Sequence, residues 1–198
     1  VIDNLVSRGE APPVGLVDVM GGSHVGETVN DVPVRWDLES AAALSPDKCT
    51  LIVALGDNAA KLALAEHFAA LGFGFRTAVH AFAMFSPNAR IATGAIVNAG
   101  AVILPNAEIG EHAIVHSGCV IEHDCQIGAG ANIAPGVTLA GRVVVGRSAY
   151  LYTGCRVVPG VRIGDGAIVG AGAVVLSSVA DGVTAFGVPA RTRNERES

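Results

Sequence analysis

From Phe85 onward a large apolar residue returns at every sixth position, through Ile103, Ile121, Ile127, Ile133, Leu139 and Ile163 to Val175. Four places after each comes a smaller apolar residue, from Ala89 through Cys119, Cys125, Ala131 and Cys155 to Ala173 and Val179. A period of six matches neither an α-helix nor a lone strand. It is the mark of a hexapeptide repeat, in which short strands stack coil upon coil as a parallel β-helix. Three places after the large residues lie sixteen turn positions, nine of them glycine, with Asn88, Asn106 and Asp124 among the rest. Glycine, Asn and Asp suit a backbone that must take positive φ. Pro87, Pro105, Pro135 and Pro159 stand one place earlier, at corners that need no ladder donor. Three such sides close an 18-residue triangular coil, and sixteen hexads make about five coils.

Residues 1–82 lack the repeat and read as a small α/β unit. "VIDNLVSRG" has helical spacing at Ile2, Leu5 and Val6 and stops at Gly9. "PVGLVDV" and "CTLIVALG" are short apolar strands ending in Asp18 and Gly56. Asp57 or Asn58 caps a helix that ends at Gly72, and "FGFRTAVH" is a third strand leading into the prism. Strand, Gly-Asp-Asn and helix is the general form of a nucleotide-binding unit, whose ligand lies at the carboxyl ends of the strands. Asp18 and Gly56 are equally compatible with ordinary strand ends. "GGSHVG" at 21–26 leads into no helix and reads as a surface turn. The prism is expected over 83–190, with a polar tail at 191–198.

Thirteen basic against eighteen acidic residues leave a net charge of −5, which argues against a nucleic-acid binder. No apolar run approaches the length of a membrane span. Cys49, Cys119, Cys125 and Cys155 have no zinc spacing. The last three fall in the small inward slot, where packing is their expected role, and a reduced, cytoplasmic protein is the economical reading. The chain opens at Val1 without a methionine, so an upstream segment is expected.

One corner carries chemistry. In "CVIEHDCQIG", His123 takes the place held by Pro105 one coil earlier and Gly141 one coil later, and Asp124 stands where glycine is usual. A histidine beside a carboxylate is a ready proton acceptor. Gly141 leaves room for a thin ligand arm or serves the turn. His112, His116 and His123 are spaced by four and seven residues rather than by whole coils, so a metal site on this fold is not expected. His24, His67 and His80, outside the repeat, read as surface or packing residues. A purely structural β-helix is the alternative to an enzyme.

The α/β half with "GLVDV" and "VALGDN", the hexads with "VIEHDCQIG" and "IAPGVTLAGRVVVG", and the ending "GVPA" together resemble the sialic-acid O-acetyltransferase-like group of hexapeptide-repeat acyltransferases. That group includes N-acetyltransferases of nucleotide-linked 4-amino-4,6-dideoxy sugars, GDP-perosamine or UDP-linked. The resemblance implies a left-handed parallel β-helix and acetyl-CoA as co-substrate, with no metal. It implies a homotrimer with active sites between subunits, His123 as general base and Asp124 as its supporting acid. Acetyl-CoA is then expected near Asn132, Gly141, Thr153 and Ala171, and the nucleotide at Asp18, Val19 and Gly56. Many relatives carry a second histidine where this chain has Asn132, which donates a hydrogen bond but does not titrate. O-acetylation of a sialic acid or related sugar is the alternative activity, because a hydroxyl needs the same base.

Overall fold

The computed structural model describes residues 1–192. The rest of the tail expected at 191–198 lies outside the described residues, while Arg191–Thr192 pairs antiparallel with Thr184–Phe186.

The amino-terminal unit opens with helix α1 (Ile2–Val6), and Gly9 at φ +73° ends that segment. Strand β1 (Leu16–Asp18) pairs in parallel with β3 (Val32–Asp37), which also pairs antiparallel with β2 (Thr28–Val29). The hairpin and helix α2 (Leu38–Ala42) have no counterpart in the reading of the sequence. β4 is only Thr50–Leu51, shorter than "CTLIVALG" suggests, and pairs with β5 (Gly74–Phe75). Between them runs α3 (Asn58–Ala70), capped by the Asp57 carboxylate, which accepts from the Ala60 N–H at 2.8 Å.

"FGFRTAVH" divides into two strands. Its second, Ala78–Val79, already pairs with Ile96–Val97 as the first rung of the prism. The prism therefore starts before the expected boundary at 82/83, and His80 lies within the repeat, one coil before Asn98.

Up to the pairing of Arg156–Val157 with Val174–Val175, each later rung pairs with the residue 18 places on, so Ile103 lies on Ile121, Ile109 on Ile127 and Val115 on Ile133. Three parallel sheets result. The first face carries Met84–Phe85, Val102–Ile103 and Val120–Ile121, the second Arg90–Ile91 and Gln126–Ile127, the third Ile96–Val97, Ile114–Val115 and Asn132–Ile133. The nine turn glycines, with Asn106, His112, Asp124, Arg142 and Ser148, have φ between +54° and +74°. Asn88 and Ser178, at the two ends of the repeat, do not share that conformation. The last coil is short by two residues, because Val179 bridges to Ile163 and Ala185 pairs with Val169. Val179 thus stands in register with the wall residue Ile163, through an isolated bridge, and not with the small interior residues.

Inside, the large residues form the wall and the small ones fill the axis; Ile103, Ile121, Ile133 and Leu151 are fully buried, as are Ala101, Ala131, Cys119, Cys125 and Cys155. Burial pushes the Cys119 thiol up to about 11 and Cys155 to about 12. Outward residues of the third face are also buried, since Ile96 and Ile114 pack against Leu5 and Ala78 under the amino-terminal unit.

The helix α3 is tied to the same face through a buried lysine. Lys61, with no exposed surface, donates to Asn58 Oδ1 at 3.2 Å, and Asn58 Nδ2 donates to the Ser148 and Ala149 carbonyls. Burial lowers the Lys61 pKa to about 8, against the opposing pull of Asp57. An unfolded lysine titrates near roughly 10.4. Between about pH 8 and 10.4 the unfolded chain therefore binds the extra proton, and the Lys61 contribution to stability rises with pH. Urea unfolding of wild type and Lys61→Met should show the wild type gaining on the variant between those pH values. A thiol reagent at pH 8 should modify half-exposed Cys49 in the native protein and the three prism cysteines only after denaturation.

Candidate active site

His123 and Asp124 sit at the edge between the first and second faces, and the left-handed turn at Asp124, φ +60°, folds the carboxylate back onto its neighbour. Asp124 Oδ2 lies 2.7 Å from His123 Nδ1, and Oδ1 accepts from Asn106 Nδ2 at 3.1 Å. Asn106 occupies the same turn position one coil earlier, so the repeat itself supplies this second contact. Only its 18-residue offset from Asp124 could have signalled it in the sequence. The hydrogen bonds from His123 and Asn106, with Arg142 nearby, hold the Asp124 carboxyl below the usual range. A carboxylate can only accept, so Nδ1 carries the ring proton and Nε2 keeps its lone pair.

The imidazole lies over Gly141. A Cβ there would stand 2.5 Å from His123 Nε2, and Gly141 does not have positive φ. The missing side chain therefore serves neither the turn nor, within this chain, an open channel: the histidine ring fills the space.

The other expected positions fall elsewhere. Thr153 and Ala171, 18 residues apart, are exposed on the edge between the third and first faces. The first face therefore separates them from His123. Asn132 is 1% exposed, projecting from the third face beneath the amino-terminal unit, where its Nδ2 approaches the Gly56 carbonyl at 3.4 Å. Its Oδ1 is buried with no hydrogen-bond partner.

Val19 and Gly56 do meet. They line a groove of about 630 Å³ with Met20, Leu38, Leu55 and Leu64, at the carboxyl ends of β1 and β4. Asp18 is not among the lining residues. Its carboxylate accepts from the Met20 N–H at 2.8 Å and the His24 N–H at 3.0 Å, bonds that lower its pKa and pin the "GGSH" turn. That turn leads to β2 and not into a helix, so it presents no helical amino terminus. His67, read as a surface or packing residue, also lines the groove. His112 is buried over Gly94 and meets the edge of Phe75 at 4.7 Å, a packing role. Among the described residues, no group of three or more His, Cys, Asp or Glu side chains is placed to hold a metal, and no helix is long and apolar enough to cross a membrane.

The Gly141 contact is directly testable. Gly141→Ala should push the imidazole aside and lower any activity that uses its lone pair by about 10- to 100-fold, as small displacements of a reacting group do. Circular dichroism and thermal unfolding would check that the coil remains intact.

Comparison with known proteins identifies the family. The family model described as bacterial transferase hexapeptide (six repeats) matches residues 106–141 and 142–177. A comparison with curated proteins finds no match. Two solved structures of perosamine N-acetyltransferase from Caulobacter crescentus, each a histidine mutant in complex with CoA and GDP-perosamine, superpose with TM-score 0.90 at 38% identity over 97% of this chain and 90% of theirs. The acetyltransferase domain of PglB from Neisseria gonorrhoeae FA1090, in complex with acetyl coenzyme A, superposes with TM-score 0.90 at 30% identity over 97% of this chain and 92% of its own. WeeI from Acinetobacter baumannii AYE gives 0.81 at 26% identity over 90% and 84%. With a hexapeptide prism, an amino-terminal α/β unit and identity to these proteins along nearly its whole length, the chain belongs to the hexapeptide-repeat sugar N-acetyltransferases.

Proposed function

We propose that the chain transfers the acetyl group of acetyl-CoA to the 4-amino group of a nucleotide-linked 4-amino-4,6-dideoxy sugar, with His123 as general base. The observation that carries the reading is the oriented pair: Asp124 holds Nδ1–H at 2.7 Å and leaves Nε2 as the acceptor. The amine lone pair attacks the thioester carbonyl carbon, a C–N bond forms, the C–S bond breaks and coenzyme A leaves. The proton lost by nitrogen passes to Nε2. His123 is already half-exposed at the prism edge, so the base needs no local unfolding to meet its substrate.

The nucleotide is assigned to the groove at Val19 and Gly56. The complexes of perosamine N-acetyltransferase with GDP-perosamine make GDP-perosamine the first substrate to try. Acetyl-CoA is assigned to the edge of Thr153 and Ala171, with the prism in the cytoplasm that supplies both co-substrates.

A homotrimer joins these parts. The two functional edges flank the first face, whose outward Val102, Val120 and Thr138 are half-buried and Met84 exposed. A threefold axis outside this face, parallel to the prism, brings the His123 edge of each subunit against the Thr153 edge of the next. Gly141 then belongs to the base and not to the bound coenzyme.

The test supplies acetyl-CoA with GDP-, UDP- and dTDP-linked 4-amino sugars and follows thiol release. Turnover of a nucleotide-linked amine is expected, and His123→Ala should lose roughly 10²–10⁴-fold of it while staying folded. Undiminished turnover in that variant would remove His123 from the mechanism, and acetylation of free sialic acid alone would favour the hydroxyl substrate.

A further inference from the structure

His116 projects from the third face next to the corner at Ser117, and the repeat places Thr153 and Ala171 at the same corner in higher coils, 36 and 54 residues on. It thus stands on the edge assigned to acetyl-CoA. It also shares one coil with His123, seven residues later. An axis parallel to the prism preserves height, so His123 of the partner subunit arrives level with His116.

The tautomer of His116 is fixed by a relay that begins in the amino-terminal unit. Buried Asn4 directs its Nδ2 at the Val97 carbonyl, 3.2 Å, and the Ala78 carbonyl, 3.4 Å, so its amide nitrogen is the group facing the prism. The same Nδ2 donates to Asn98 Oδ1 at 2.9 Å. Asn98 must then present its own Nδ2 to His116 Nδ1, at 3.4 Å. With a donor opposite Nδ1, that nitrogen accepts, and the ring proton resides on Nε2. Protonating Nδ1 would set two donors against each other.

The tetrahedral intermediate of acyl transfer needs a donor at its oxyanion. Asn132, expected near acetyl-CoA as a hydrogen-bond donor, has its amide nitrogen turned to Gly56 and presents a buried, unpaired oxygen. An acceptor repels an oxyanion. The neighbouring side chain with a fixed N–H is His116, whose charged form the Asn132 side chain favours.

We propose that His116 is a second catalytic histidine, a neutral imidazole whose Nε2–H donates to the acetyl carbonyl oxygen while His123 of the partner subunit takes the proton of the amine. This rests on the acetyl-transfer reading above. Burial disfavours the imidazolium, and the nearby Lys61 charge acts in the same direction while the Asn132 side chain opposes it. The donor is therefore a neutral N–H that persists across the pH range in which His123 must be unprotonated.

Three variants of the full chain test this. His116→Leu should lower kcat by about 100-fold, the effect of removing one oxyanion donor, with the KM of the nucleotide sugar little changed. His116→Gln, whose amide nitrogen can reach the region of Nε2, should recover much of that loss. Asn98→Asp places an acceptor opposite Nδ1 and draws the proton there, so Nε2 donates only when the ring is charged. Its kcat should fall again as pH rises through the imidazole range, a descending limb that the wild type lacks there. Purely structural damage would not create such a limb. A kcat for His116→Leu within about threefold of wild type, or a wild-type pH profile in Asn98→Asp, would overturn the assignment of His116 alone. Absence of any wild-type turnover on nucleotide-linked amines would instead overturn the acetyl-transfer reading, and His116 with it.

Discussion

The backbone ladder at 18-residue spacing is the constraint on which everything else in this protein depends. Each two-residue strand is too short to persist alone. It exists because its N–H and C=O groups meet those of the coils on either side, as Val120 and Ile121 do between Val102–Ile103 and Thr138–Leu139. Closing that coil demands a turn with positive φ at nearly every corner and an interior that takes only small apolar residues, alanine, cysteine or valine. A side chain larger than these at Ala131 or Cys155 would have nowhere to go in a fully buried axis.

The same ladder creates the pair of His123 and Asp124. A turn that needs positive φ favours glycine, and Asp124 accepts the strain of that conformation where a glycine would be silent. In return its carboxylate reaches back to His123 and sideways to Asn106, which has the same conformation one coil earlier. Gly141, one coil later, keeps the floor under the imidazole clear. Three consecutive coils thus orient one ring, and the repeat that stabilises the fold also aims the imidazole.

The amino-terminal unit contributes by covering the third face. Asn4 and Asn58 reach across to carbonyls and an amide of the prism, with Lys61 donating to Asn58, so the groove at Gly56 and the polar side chains of Asn98, His116 and Asn132 form one connected interface. Buried amides at such an interface are satisfied in only one orientation each, which fixes donors and acceptors more firmly than exposed groups allow. Asn132 is the exception, with an oxygen left unpaired in a dry environment.

Much of this was legible without coordinates. A period of six determines the coil, the wall, the inward cysteines and the corner at His123, because register in a β-helix is a matter of counting. His123 and Asp124 are adjacent in sequence, so their pairing needs only the turn. Counting fails where the period ends. The short last coil puts Val179 in register with the wall residue Ile163, and the early first rung brings His80 into the repeat. It also says nothing of contacts between the aperiodic unit and the prism. That Asp18 is consumed by its own loop, that Lys61 is wholly buried, and that Asn132 turns to Gly56 follow from pairings between segments with no common repeat. Only tertiary packing, which decides which polar atoms lose water together, could settle them.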